Sequence, residues 1–251
     1  MSLKTAVILA AGMGIRLSPI VGIHPKGLLQ IGELPLLGRS LNFLKKNGFE
    51  KILIVVGHQS KELEKELEKY TNCFNTQFVF NERYSETGSM HSLFMLHEKL
   101  DEDFLLLESD LLYGDDALKY LLQTKERDLL LISGRTNSGD EVWIYGEEPK
   151  ENNNMGLVKK ISKQSREDFL MCGELTGLSK ISKELFNKMC VHHKNNNQFP
   201  NNYHYEECIS DLSNQHSVKY LLVDDLVWTE IDDPQHYERA LNEIWPLLKN
   251  K

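Results

Sequence analysis

"AVILAAGMGIRLSPIVGIHPKGLLQIGELPLL", residues Ala6–Leu37, decides how the rest of the chain is read. It begins as a short, wholly apolar run of the kind that is covered on both faces in a parallel sheet. It then enters a turn carrying Gly12 and Gly14, with Arg16 and Lys26 following at a distance. A strand, a bare backbone and two separated cations suit an anion, because glycine leaves N–H groups open where a bulky side chain would obstruct them. Phosphate is the first such anion to consider, held at a strand-to-helix turn. The segment is not a P-loop, since no Gly-Lys-Ser or Gly-Lys-Thr follows, and its spacing departs from G-x-G-x-x-G.

Outward from this stretch, apolar runs alternate with amphipathic ones. The pattern predicts a helix over Leu36–Asn47, a strand over Lys51–Val56, a charged helix over Ser60–Tyr70 and a strand over Gln77–Asn81. A helix over Gly88–Leu100 and a strand over Phe104–Glu108 follow, and Asp115 and Asp116 open another helix. Repeated βαβ units of this kind define an α/β fold with a mixed, mostly parallel central sheet. Asp110 falls just beyond a strand's C-terminal end, the edge where ligands collect in open α/β sheets. After Leu129 the texture changes to two strands with turn chemistry at Asn137–Gly139 and a polar loop at Asn152–Asn154, more like a mixed-sheet insertion. The polar run His192–Glu206 reads as a surface loop, "VKYLLVDDLVWTEID" as a returning strand, and Pro234–Leu248 as a closing helix. No repeat or Pro/Gly-rich linker interrupts the chain, which is read as one domain over 1–251 with an acceptor-binding subregion embedded at about 130–205.

Composition narrows the function classes. With 251 residues, 41% of them hydrophobic, the chain has enough apolar material for a sizeable core. A formal net charge of −8 argues against a general nucleic-acid binder, which needs a surplus of cations on one face. Four widely spaced cysteines without a Cys-x-x-Cys pair indicate neither a zinc knuckle nor a disulfide framework, and they read as reduced, buried thiols. The apolar run Thr5–Ala11 is too short to span a bilayer and no signal segment is evident, which points to the cytoplasm.

The ordered set Gly12, Gly14, Arg16, Pro25 and Lys26 resembles the signature of the nucleotidyltransferases that activate sugar phosphates and small alcohol phosphates. That resemblance implies a Rossmann-like, GT-A-like three-layer nucleotidyltransferase fold. It implies that the backbone of Leu9, Ala10, Ala11, Gly12 and Gly14 approaches the triphosphate, that Arg16 balances the phosphates that leave, and that Lys26 serves the α phosphate. Asp110 in "LLLESDLLY" matches the family's metal-binding Asp, and "WTEIDDPQHYERA" supplies Glu230 and Asp232. Two residues apart on an extended segment, these carboxylates face the same side, as Mg2+ requires. Lys26, Arg16 and Asp110 are then the catalytic set. "FNERYSETGSMHSLFML" places Asn81, Thr87, Gly88 and Ser89 where they either read a pyrimidine edge or simply cap a helix, and the resemblance favours the first.

Together with "LISGRTNSGDEVW" and "GELTGLSKIS", these blocks are most similar to the bacterial cytidylyltransferases that make CMP-2-aminoethylphosphonate, with bacterial phosphocholine cytidylyltransferases beside them. The partners implied are CTP and a small aminoalkylphosphonate, without nucleic acid or membrane insertion, and a homodimer is compatible with the sequence. A primary ammonium wants carboxylates where a trimethylammonium wants aromatic walls. Asp140, Glu141 and Glu174 supply the acids, against Trp143, Tyr203 and Tyr205 as the aromatic alternative, and Ser133 and Arg135 are candidates for the phosphonate oxygens. Other readings are a phosphocholine or sugar-phosphate nucleotidyltransferase and, outside enzymes, a nucleotide-binding regulatory subunit. The adjacent His192 and His193 are read as loop residues rather than metal ligands.

Overall fold

The computed structural model describes residues 3–17, 22, 24–195 and 201–249. The elements run β1 (Thr5–Ala10), β2 (Gln30–Ile31), β3 (Leu34–Pro35), α1 (Leu36–Lys46), β4 (Lys51–Val56), α2 (Ser60–Thr71) and β5 (Asn75–Phe80). Next come α3 (Ser89–Phe94), β6 (Phe104–Glu108), β7 (Leu111–Tyr113), α4 (Asp115–Gln123), β8 (Leu129–Ser133), β9 (Trp143–Gly146) and β10 (Met155–Ser162). The chain ends with β11 (Leu170–Ile181), α5 (Lys183–Asn195), α6 (Tyr205–Leu212), β12 (Lys219–Val223), β13 (Trp228–Glu230), α7 (Pro234–Arg239) and α8 (Trp245–Leu248). It divides into two compact units: Met1–Glu86 with Phe104–Lys119 and Val227–Lys251, and Thr87–Asp103 with Tyr120–Leu226.

In the first unit β1 lies between β4 and β6, both parallel to it, and β5 pairs parallel with β4. The register sets Ala6 against Ile52 and Leu105, and Leu9 against Val55 and Glu108. Every residue of β1 is buried, as its unbroken apolar run requires. β5 carries exposed residues at Asn75, Gln77 and Phe80, in keeping with a place at one side of this sheet. α1 buries Leu36, Leu37, Ser40, Leu41 and Leu44, one face at helical spacing. Leu41→Ala would open a hole in that face at a cost of about 2–5 kcal/mol.

The strand-to-helix turn expected after β1 is instead a loop followed by a single 3₁₀ turn, Ile15–Leu17, closed by Leu17 N donating to Gly14 O at 3.0 Å. β7 and β13 form a separate antiparallel ladder, with Glu230 opposite Leu111. The returning strand is therefore two strands, β12 and β13, split by a turn that satisfies Leu226 N with Val223 O at 3.1 Å. The closing helix is interrupted by a π-turn at Ala240–Ile244. Pro246 explains it: the ring has no N–H for the carbonyl one turn back, and the helix widens to accommodate it.

In the second unit β8 is buried throughout, between β12, parallel to it, and β11, antiparallel. β10 pairs antiparallel with both β12 and β9, and β9 also with β11. The sheet pairings are thus mixed, with the parallel ones concentrated in the first unit. The polar turn at Asn152–Asn154 joins the β9–β10 hairpin, whereas Asn137–Gly139 lies in a longer connection and closes no hairpin between β8 and β9. The helix expected over Gly88–Leu100 stops at Phe94, beyond which Leu96, His97 and Lys99 donate to carbonyls three residues back. His192 and His193 are helical, not in a loop: α5 runs through Asn195 with Leu185, Phe186, Met189 and Cys190 inward. Residues 196–200 of the expected loop lie outside the described residues. All four cysteines are free, but only Cys190 and Cys208 are buried; Cys73 is exposed and Cys172 half-buried.

Candidate active site

Strand periodicity builds the acidic half of the site, within the first unit. Ile231 is fully buried in a cluster with Leu17, Leu112 and Ile244, so its neighbours Glu230 and Asp232 turn the other way. Each offers a carboxylate oxygen within 4.8 Å of the other's. Ile231 N donates to Asp110 O at 3.0 Å, which brings the chain beyond β6 alongside the chain beyond β13. Asp110 and Asp232 therefore sit side by side although 122 positions separate them.

Lys26 supplies the opposite charge. It opens a 3₁₀ turn after Pro25, and its Nζ contacts Asp232 Oδ1 and lies 3.3 Å from Asp110 Oδ2. Arg16 Nη2 is 3.0 Å from Asp232 Oδ2. The side chains of Lys26, Asp110 and Asp232 are only 15%, 18% and 16% exposed, whereas Arg16 is 56% exposed. Burial alone pushes the Lys26 ammonium down, but Asp110 and Asp232 outweigh it and hold the proton on firmly. Burial drives the Asp110 carboxyl up; Lys26 opposes this and Asp232 adds to it.

Glycine is required in the loop for two reasons at once. Gly14 has φ +61°, and a Cβ there would come 2.8 Å from Lys26 Cγ, so the missing side chain is what lets the lysine stem cross the loop. At the end of β4, Gly57 leaves room for Ala11, whose carbonyl oxygen a Cβ would approach to 2.6 Å. A Cβ on Gly12 would meet nothing within 4 Å, and the amides of Gly12, Met13 and Gly14 have no partner among the described residues. Leu9, Ala10 and Ala11 are buried and contribute only backbone. The loop thus presents donors and cations next to carboxylates. Arg16 and Lys26 fit phosphate oxygens, while Glu230 and Asp232, with oxygens within 4.8 Å, and Asp110, which shares Lys26 with Asp232, are oxygen donors of the kind that suits a hard divalent ion such as Mg2+.

The other expected residues have definite local partners. Asn81, 1% exposed, accepts Arg83 N on its Oδ1 at 2.9 Å. In the second unit, Gly88 rather than Thr87 or Ser89 is the N-cap of α3, and its N donates to Asn201 O at 2.8 Å. Ser89 Oγ accepts Tyr205 N at 3.1 Å. Ser133 Oγ donates to Gly134 O at 2.8 Å, and the Arg135 guanidinium stacks 5.4 Å from the Trp143 ring centroid. Glu174, 1% exposed, takes Thr136 N at 2.8 Å and Thr136 Oγ1 at 2.9 Å, one on each oxygen. Asp140 accepts Lys163 Nζ at 2.6 Å, while Glu141 is half-buried beside it in the chain. Sequence reasoning missed Thr136 and Lys163 as partners of these acids. It also missed Glu206, in the first turn of α6, whose carboxyl burial pushes up with His204 opposing. None of the three carries a motif.

Parallel β-strands with connecting helices, a glycine loop after β1 and carboxylates beyond the strand ends define a Rossmann-like α/β nucleotidyltransferase fold with a mixed sheet. Residues 6–166 match the family model of the MobA-like NTP transferase domain, and the chain belongs to that family. It is 33% identical to a choline-phosphate cytidylyltransferase of Streptococcus pneumoniae over 128 residues, 51% of this chain and 50% of the relative. It is 26% identical to a CMP-5'-(3-aminopropyl)phosphonate synthase of Streptomyces rubellomurinus over 253 residues, 94% of this chain and 38% of that one. The chain thus spans about half the length, or less, of these curated relatives. Among solved structures it resembles the inositol-1-phosphate CTP transferase from T. maritima, with a TM-score of 0.81 and 21% identity covering 99% and 96% of the two chains. That likeness concerns the fold. No helix among the described residues is long and apolar enough to cross a membrane.

Proposed function

We propose that the protein is a Mg2+-dependent cytidylyltransferase that joins CTP to 2-aminoethylphosphonate, giving CMP-2-aminoethylphosphonate and pyrophosphate. The observation that carries this reading is the meeting of Lys26 with Asp110 and Asp232 beside the open amides of the glycine loop. A phosphonate oxygen of the acceptor forms a bond to the α phosphorus, the bond from that phosphorus to the β-phosphate oxygen breaks, and pyrophosphate leaves with the electron pair. The attacking oxygen is already an anion at neutral pH, so no general base is needed. Lys26 stays protonated and meets the charge that builds on the α phosphate, while Arg16 and the loop amides hold the phosphates that depart. Bound at Asp110, Glu230 and Asp232, Mg2+ would supply charge neutralisation to the triphosphate.

Cytidine and the phosphonate are supported by the relatives that act with CTP or make a CMP-phosphonate. The primary amine is supported by the second unit's own chemistry. Asp140 already holds a primary ammonium, that of the 58%-exposed Lys163, and a substrate ammonium can take the same place. Tyr205 is 1% exposed and Tyr203 is 5% exposed with its hydroxyl on Asp211 at 2.8 Å, so neither stands as an open wall for a trimethylammonium. The test is pyrophosphate release with four nucleotides against 2-aminoethylphosphonate, phosphocholine, phosphoethanolamine and glucose 1-phosphate. The reading requires CTP with 2-aminoethylphosphonate to be the fastest pair; preference for phosphocholine would replace the acceptor and leave the metal site standing.

A further inference from the structure

The ion pairs of Lys26 carry an inference that rests on the metal-assisted reading above and goes beyond it. The two carboxylates that fit a divalent cation, Asp110 and Asp232, are the two that Lys26 Nζ already contacts. All three side chains are more than four-fifths buried, so an ammonium and a divalent ion placed together between them would repel with little screening by water. Lys26 reaches this position on a stem that crosses Gly14, where a Cβ would come 2.8 Å from its Cγ. Its long flexible side chain lets the head exchange one anion for another nearby. Phosphate held by the amides of Gly12, Met13 and Gly14 would be such an anion.

We propose that in the nucleotide-free protein the Lys26 ammonium occupies the cation position between Asp110 and Asp232 and keeps a divalent ion out, and that an incoming nucleoside triphosphate draws it away. Metal and nucleotide then bind as a coupled pair, each raising the other's affinity by the same factor. Lys26 is in this sense a positioning residue for the metal as well as a group that meets the α phosphate. Arg16 does not fill this role: its Nη2 lies 3.0 Å from Asp232 Oδ2, but its side chain is 56% exposed, so its charge is screened by water.

Mn2+ binding to the full chain without nucleotide, followed by electron paramagnetic resonance, tests the inference without reference to turnover. Lys26→Met should bind Mn2+ at least about ten-fold more tightly than wild type, since one unit charge is removed from a poorly screened site. Arg16→Met should stay within about three-fold, because its exposed charge is screened. Adding Asp110→Asn to Lys26→Met should abolish the gain. Lys26→Gln, checked for folding by circular dichroism, is the second neutral variant should the methionine disturb the fold. Mn2+ binding no tighter in the neutral variants than in wild type, or an equal gain from Arg16→Met, would overturn the proposal. A protein that shows the gain but releases no pyrophosphate with any nucleotide would refute the proposed activity and keep the guarded site; the opposite pattern would refute only the guarding.

Discussion

Lys26 and Gly14 show how single residues set the chemistry. Lys26→Ala should lower the rate at saturating nucleotide by about 10²–10³, the usual cost of losing one charge-stabilising donor, with a much smaller change in CTP affinity. Single-turnover kinetics beside equilibrium CTP titration separate the two; a normal rate with weakened CTP binding would make Lys26 an ordinary binding residue. Gly14→Ala should cost about 1–2 kcal/mol of stability for its left-handed backbone, and it should also displace the lysine stem that a Cβ would meet at 2.8 Å. Its signature is a lower midpoint in urea together with a lower rate. Unchanged turnover would mean that the stem has another path. Of the residues that the resemblance singles out, Arg16, Lys26, Asp110 and Asp232 come together in space, and the two-residue strand period sets Glu230 beside Asp232. The partners of Asp140 and Glu174 were not: Thr136 and Lys163 reach them through strand pairing across 38 and 23 positions, which leaves no local pattern.

At the scale of elements, what was legible depended on whether contacts are local. β4 and β6 have the boundaries read from their apolar runs, since a strand buried on both faces announces itself by composition. The pairing of β11 with β8 and β9 was hidden, because antiparallel partners far apart in sequence share no periodic signal. The extension of α5 through His192 and His193 was hidden for a related reason: packing of Met189 and Cys190 decides where that helix continues. Glu174 ties β11 to the segment after β8 by holding Thr136 with both oxygens. Glu174→Gln trades a charge-assisted pair for a neutral one, a loss of about 1.5–3 kcal/mol, and should raise the acceptor KM roughly ten-fold or more with the CTP KM unchanged. Steady-state kinetics against each substrate check this, and equal changes in both KM values would place Glu174 in general support of the fold. Asp140→Asn should weaken 2-aminoethylphosphonate while leaving ethylphosphonate nearly untouched; an unchanged preference for the amine would put the ammonium site elsewhere.

For the whole molecule, burial should be readable in thiol chemistry. Burial pushes Cys190 and Cys208 up to about 12, so their reactive thiolate is scarce in the folded protein at pH 8, roughly one part in ten thousand. Cys73 is exposed and should react first with an aromatic disulfide reagent, Cys172 more slowly, and the other two only after denaturation. Four fast thiols in the native protein would contradict this burial. The central claim is that Lys26, Asp110 and Asp232 form the centre of a nucleotidyl transfer site. It is tested most directly by pyrophosphate release from CTP and 2-aminoethylphosphonate with Mg2+, on wild type and on folded Asp110→Asn. Wild type should release pyrophosphate only with both substrates present, and Asp110→Asn should be slower by about two orders of magnitude or more. An Asp110→Asn protein as fast as wild type at limiting Mg2+, or a wild type silent with every nucleotide and acceptor, would contradict it.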